Sequence, residues 1–249
     1  MSGITAVTSV STEGYWQYGK EGIQSLLAHW PGKVIVYYEH DEPGLRNGNL
    51  EWRDLFAQQG VPSFLKTIGA FPLFQGWVPG EPYNYNFDAY KFSRKVFAVT
   101  DPARKDDGLV FWVDADVRLK RDVPPEFLAS LLDGYYTCYL GREGYHSECG
   151  FVGFNARNEW HGDFMRAFRN AYTTGMFARL PGYHDCWVYD WVRRGTKVPA
   201  HNLSPTVKVE HVDPVTVKPL VGEKLDCVEN SPLDEYMVHL KGGRKFDLR

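Results

Sequence analysis

Apolar positions fall into short unbroken runs, separated by segments in which they recur every three or four residues. Residues 4–10 (ITAVTSV) and 33–39 (KVIVYYE) are β-branched and short, the pattern of buried strands. Between them Ile23, Leu26, Leu27 and Trp30 are spaced three and four apart, so Tyr15 to Trp30 reads as a helix that Pro31-Gly32 ends. Strand, helix and strand in succession make a βαβ unit, with a parallel pair and a right-handed crossover. The pattern predicts a helix over 50–59, a short strand near 63–68, a helix over 87–99 and the strand Leu109 to Val113. Further strands are expected at 135–141, 150–154 and 206–212, and helices at 157–174 and 184–194. Alternating β and α, with mixed elements later, predicts an α/β/α sandwich around one central, mostly parallel mixed sheet. No linker composition interrupts the pattern, so a single domain over 1–249 is expected.

Residues 71–86 (FPLFQGWVPGEPYNYN) break the periodicity: three prolines and two glycines interrupt it, and five aromatics are scattered through it. A loop this long inside a domain is commonly functional. Aromatic residues make up 15% of the 249-residue chain, and sugars present C–H faces that stack on such rings. The loop is therefore a candidate sugar-binding wall. Charge is nearly balanced, with 28 basic and 31 acidic residues, which argues against a protein held to nucleic acid mainly by counterion release. No apolar run approaches the ~20 residues of a membrane span, and no basic-then-apolar segment opens the sequence. Cys138, Cys149, Cys186 and Cys227 form no C-x-x-C pair and read as reduced thiols. Together these features predict a cytoplasmic protein, of bacterial or viral-host setting. Asn202-Leu-Ser204 matches the glycosylation sequon only formally, since Pro205 follows it.

The sharpest local feature is the run LVFWV followed by Asp114, Ala115 and Asp116. An apolar strand delivers two carboxylates at its carboxyl end, where open α/β sheets bind ligands. Acids this close repel each other unless a cation lies between them. Hard divalent ions such as Mn²⁺ or Mg²⁺ accept such oxygens and bridge to a diphosphate. Later come His239-Leu-Lys-Gly242-Gly-Arg-Lys245, and a middle segment in which Gly150 and Asn155 close the run beginning at His146. Taken together, these residues resemble the GT-A fold nucleotide-diphospho-sugar glycosyltransferases, and family 8 among them in particular. That family carries Asp-x-Asp after a buried strand and a terminal His-x-x-Gly-x-x-Lys. This chain departs from it in having Glu148 where an amide is usual, and Cys186 where a glutamine follows the aspartate matched by Asp185.

The resemblance implies a hexosyl- or pentosyltransferase using a nucleotide sugar, UDP foremost, with a nucleotide-binding half over about 1–116 and an acceptor-binding half over about 117–249. It implies that Asp114, Asp116 and His239 hold the metal, with Asp114 also near the ribose. Gly242 would admit the diphosphate, and Lys245 would contact its β-phosphate. Thr8 and Ser9 would lie against the base and ribose, with Tyr15 or Tyr38 as alternative stacking rings. On the 87–99 helix, Lys91, Arg94 and Lys95 share a basic face; Arg94 and then Lys95 are the expected donor contacts. Asp185 would touch the transferred sugar. Glu148 would orient or deprotonate the acceptor hydroxyl, or stabilise charge at the anomeric carbon. The acceptor stays open between a saccharide, a protein, a metabolite and a hydroxylated DNA base. For DNA the only sizeable basic cluster is Lys241, Arg244, Lys245 and Arg249.

Rival readings remain. The apolar run and Asp-x-Asp also resemble haloacid-dehalogenase-type phosphotransferases, with Asp114 as nucleophile. A non-catalytic carbohydrate-binding protein would account for the aromatics without needing the acidic pair. A sugar nucleotidyltransferase would need a glycine-rich loop after the first strand, which VTSVSTEGY does not supply.

Overall fold

The apolar run at the start of the chain becomes β1 (Ile4–Ser11), the strand around which the sheet is organised. The computed structural model describes residues 3–77, 79–80, 82–104, 108–214, 216–217, 219 and 226–241. β1 pairs in parallel with β2 (Lys33–Glu39) on one side, Val7 opposite Ile35. On its other side it pairs in parallel with β4 (Leu109–Val113), Ala6 opposite Phe111. β3 (Leu50–Asp54) extends the sheet beyond β2. Beyond β4 lie β7 (Glu148–Asn155), β6 (Thr137–Leu140) and β8 (Ala200–Asn202), giving the order β3-β2-β1-β4-β7-β6-β8. Of the seven strands β7 runs against the rest, so the sheet is mixed and mostly parallel.

Successive side chains on each central strand enter opposite cores, as the two-residue period of a strand requires. Val7, Ile35, Val110 and Trp112 pack with α2 (Val61–Ile68), α3 (Ala89–Val99), α5 (His161–Thr173) and α6 (Asp185–Thr196). Ala6, Val34, Val36, Phe111 and Val113 pack with α1 (Lys20–His29) and α4 (Pro125–Ser130) on the other face. The expected α/β/α sandwich is therefore present. No described helix is long and apolar enough to cross a membrane, and all four cysteines are free.

Two expectations fail. Residues 50–54 are a strand and Val61–Ile68 a helix, the reverse of the predicted order. Val61, Leu65 and Ile68, at helical spacing, are all buried, and Pro62 sits in the first turn, where its missing N–H does no harm. Leu50–Asp54 is half-buried throughout because it forms the sheet's edge. The second failure is the strand expected at 206–212. Val207 and Val209 are buried in alternation with exposed Lys208 and Glu210, yet among the described residues the segment forms only isolated bridges, Lys208 with Glu143 and Val212 with Pro219. Its place as the last strand is taken by β9 (Met237–His239), which pairs antiparallel with β5 (Val117–Leu119) in a separate two-stranded sheet.

The chain leaves β1 toward β2 on one side and later returns to β4 on the other. Their carboxyl ends diverge at this reversal, the place where such sheets open a ligand crevice.

Candidate active site

At the end of β4 the Asp114 backbone N–H donates to Gly150 O (2.9 Å), and the Val117 N–H donates back to Asp114 O (2.9 Å). The resulting tight turn directs Asp114 and Asp116 into the crevice. β5 follows immediately and pairs Val117 with His239, while the Leu240 N–H donates to Asp116 O at 3.1 Å. This pairing carries a residue from the far end of the sequence to the acidic turn. His239 Nε2 lies 3.1 Å from Asp116 Oδ1 and 3.8 Å from Asp114 Oδ2. One ligand atom from each of the three falls within 4.8 Å of the others. Two carboxylates facing one imidazole nitrogen form a set that a divalent cation relieves of its repulsion. The oxygen-rich donors fit Mn²⁺, or Mg²⁺ with added waters.

The other edge of His239 is fixed by Glu148, whose Oε1 is 2.8 Å from Nδ1, and Lys241 Nζ is bonded to the same carboxylate. Burial alone would raise the Glu148 pKa, but the His239 hydrogen bond and the Lys241 charge hold it at about 2. Burial would likewise lower that of His239, and hydrogen bonds to Asp116 and Glu148 lift it to about 9. With Nδ1–H committed to Glu148, Nε2 is the nitrogen presented to the aspartates, the arrangement that metal-binding histidines adopt. Lys241, two residues after His239, escaped the sequence-based assignment except as part of a basic tail.

Gly150 makes this geometry possible. A Cβ at that position would lie 2.4 Å from His239 Cε1 and 2.6 Å from Nδ1. Gly150→Ala should therefore push the imidazole off the acidic pair and destabilise the fold by about 1–3 kcal/mol. Mn²⁺ titration beside urea denaturation checks both effects, and an unchanged Mn²⁺ affinity would disprove the proposed packing role.

Lys95, on α3, reaches three acceptors: Asp114 Oδ1 at 2.9 Å, Asp185 Oδ2 at 3.0 Å, and the carbonyl oxygen of Cys149. Burial opposes its charge, but Asp114 and Asp185 outweigh it and hold the Lys95 pKa well above the ordinary lysine value. Trp112 Nε1 also donates to Asp114 Oδ1 (2.6 Å), a contact not foreseen from sequence. Asp114 thus has one oxygen occupied and Oδ2 turned toward His239. Arg94 pairs with Glu39 Oε2 at 2.5 Å and stacks on Tyr90, 4.5 Å from the ring centre. Lys91 has no carboxylate within ion-pair distance among the described residues. Asp185 begins α6, where burial, with Lys95 opposing, lifts its carboxyl to about 7.

Apart from Lys241 and Tyr90, these residues line a cleft of about 330 Å³, together with Ser9, Ser11, Tyr18, Cys149 and Cys186. Thr8, expected beside Ser9 at the donor, is fully buried and is not part of this lining. Nor are Tyr15 and Tyr38, whose rings both pack edge-on against Trp52. The described part of the 71–86 loop stands off the cleft: Asn84 and Asn86 donate to Thr216 O, and Asn86 also meets His184. Phe71, Trp77, Tyr83 and Tyr85 are exposed there. Gly242 and Lys245, with Arg244 and Arg249, lie outside the described residues.

No protein-family model matches the chain, and no curated protein matches it. Among solved structures it is similar to mouse xyloside xylosyltransferase 1 in its apo form, at 12% identity over 81% of this chain and 86% of that one, TM-score 0.49. It is also similar to glycosyltransferase GlyE of Streptococcus pneumoniae TIGR4, at 12% identity and TM-score 0.46, covering 82% of this chain but 45% of that one. A third is the galactosyltransferase LgtC in complex with donor and acceptor sugar analogs, at 14% identity over 81% and 73%, TM-score 0.45.

Proposed function

We propose that the chain is a metal-dependent glycosyltransferase that moves a sugar from a nucleoside-diphosphate donor, a UDP-sugar foremost, to an acceptor hydroxyl. One observation carries the reading: Asp114, Asp116 and His239 converge at the crevice between the carboxyl ends of β1 and β4. A divalent cation held by these three supplies positive charge for a departing diphosphate without a proton transfer. Ser9 and Ser11 offer hydroxyls to the nucleoside side of the cleft, and Lys91 offers a cation to the phosphates. Arg94, matched to Glu39, shapes the same wall. Asp185 stands at the cleft end of α6 as the sugar contact, held there by Lys95. Gly242 and Lys245 keep their proposed diphosphate roles.

Glu148 is better suited to positioning than to accepting a proton. His239 and Lys241 occupy its two oxygens, and a carboxyl held near pKa 2 is a poor general base. It fixes the tautomer that leaves Nε2 of His239 facing the aspartates. The acceptor is a hydroxyl of a saccharide, protein or metabolite; the near-neutral charge gives least support to a DNA base.

A thermal-shift titration with UDP, GDP, CDP and ADP, each with and without Mn²⁺, tests the donor site. A nucleotide at one hundred times its dissociation constant adds about 2.7 kcal/mol of stability. One nucleotide, UDP, should stabilise the protein, and only with the metal. If none stabilises it under either condition, the donor site is wrong.

A further inference from the structure

Behind the acidic rim of the cleft, ligating atoms of a different chemistry converge. His146 lies just before β7, and His184 and Cys186 lie at the start of α6. One ligand atom from each is within 4.8 Å of the other two. Both histidines are almost wholly buried, 4% and 2% exposed, with ring centres 4.5 Å apart. His146 Nε2 is buried with no hydrogen-bond partner, an uncommon state for a polar atom in a core. Its Nδ1 faces Ser147 O, an acceptor, at 2.7 Å and Arg142 Nη2, a donor, at 2.9 Å, so that edge is engaged in either tautomer and Nε2 is the nitrogen without a partner. In His184 Nε2 lies 3.1 Å from Asn86 Oδ1, and Nδ1 accepts from the Cys186 backbone N–H at 3.3 Å, so the lone pair is on Nδ1.

We propose that His146, His184 and Cys186 form a second metal site, suited to a thiophilic ion such as Zn²⁺ and separate in donor chemistry from Asp114, Asp116 and His239. Two imidazole nitrogens and a thiolate are a zinc donor set, whereas Mn²⁺ and Mg²⁺ favour oxygen. His184 is held through Nε2 by the Asn86 side-chain carbonyl, the outer support that metal-bound histidines take, and an ion bound at its Nδ1 displaces the Cys186 backbone N–H from that nitrogen. The Cys149 sulfur lies within 4.8 Å of that of Cys186. Cys186 also lines the open cleft, which gives the ion an entry path. On binding, the thiol proton leaves to solvent as the sulfur–metal bond forms. An ion here sits against the first turn of α6 and fixes the segment that presents Asp185 to the cleft.

Chelator-stripped protein with excess Mn²⁺ should take up one equivalent of Co²⁺ and develop thiolate-to-cobalt charge-transfer absorption, which Zn²⁺ then bleaches. Cys186→Ser should abolish that absorption. His146→Gln, which keeps a polar group in the core, should weaken Zn²⁺ binding more than about 10-fold. Asp116→Asn should leave the absorption intact. Absence of the band in the wild-type protein, its survival in Cys186→Ser, or unchanged Zn²⁺ affinity in His146→Gln overturns the site. Should Cys186→Ser fail to fold, His146→Gln decides the matter. The readout is spectral and stoichiometric, so it stands or falls apart from sugar transfer.

Discussion

Lys95→Met should destabilise the protein by about 3–5 kcal/mol at pH 7.5, although methionine matches most of the lysine's volume. The lost Nζ neutralises two carboxylates, Asp114 and Asp185, and satisfies the Cys149 carbonyl. Removing it leaves the Cys149 carbonyl without that donor and forces Asp185, 2% exposed, either to stand ionised without a partner or to take up a proton at pH 7.5. The effect depends on pH in a way that simple loss of packing does not. Asp185 already has a folded pKa raised to about 7 against an ordinary value of 3.8, so its ionisation opposes folding and that opposition grows as pH rises through this range. Without Lys95 the folded pKa rises further. The deficit should therefore shrink as the pH is lowered from 7.5 toward 5, where Asp185 is protonated in the folded state of both proteins. Urea denaturation of wild type and variant across this range measures it. A deficit that stays constant over the whole range would mean that lost packing, not the stranded charge, is responsible.

That role for Lys95 was legible only in part. Its place on a basic helix face beside the Asp-x-Asp strand followed from the spacing of Lys91, Arg94 and Lys95, and pointed to the donor. Spacing does not report burial, and burial turns Lys95 inward, to clamp Asp114 and Asp185. The strands around the site were legible for a simpler reason. β1, β2 and β4 are central, so both faces are apolar, and unbroken runs such as Val110–Val113 have no competing reading. At the sheet's edge this signal vanishes: Leu50–Asp54 is half-buried and reads like an amphipathic helix, while Val61–Ile68 is short and apolar enough to pass for a strand. His239 joined the aspartates in the sequence reading only through a resemblance, because nothing local to residue 239 foretells the Val117–His239 pairing. The His146–His184–Cys186 cluster carried no metal signature at all. Its members enter from a loop and a helix cap well separated in the chain, without the short spacings by which zinc sites are usually recognised.

Asp116→Asn should abolish metal-dependent nucleotide binding and lower sugar transfer by about 10³-fold or more, while leaving the fold nearly as stable as before. The amide keeps the shape of the side chain and a carbonyl oxygen for His239, but it removes one of the two anionic ligands that the divalent cation needs. Its backbone carbonyl, which the substitution retains, holds Leu240, and Glu148 continues to hold the other edge of His239. Asp114→Asn is the informative contrast. Asp114 Oδ1 carries the Lys95 ammonium and the Trp112 indole, so neutralising it weakens both the metal site and the buried ion pairs beneath it. The two variants should thus separate, with binding lost in both and stability lost mainly in Asp114→Asn. Mn²⁺ titration by calorimetry and urea denaturation, run on both proteins, test the separation. Full metal-dependent UDP stabilisation in Asp116→Asn would show that the acidic turn does not hold the cation, and with it the proposed chemistry would fall. Equal loss of stability in both variants would instead show that Lys95 does not anchor Asp114 in the way its three contacts require.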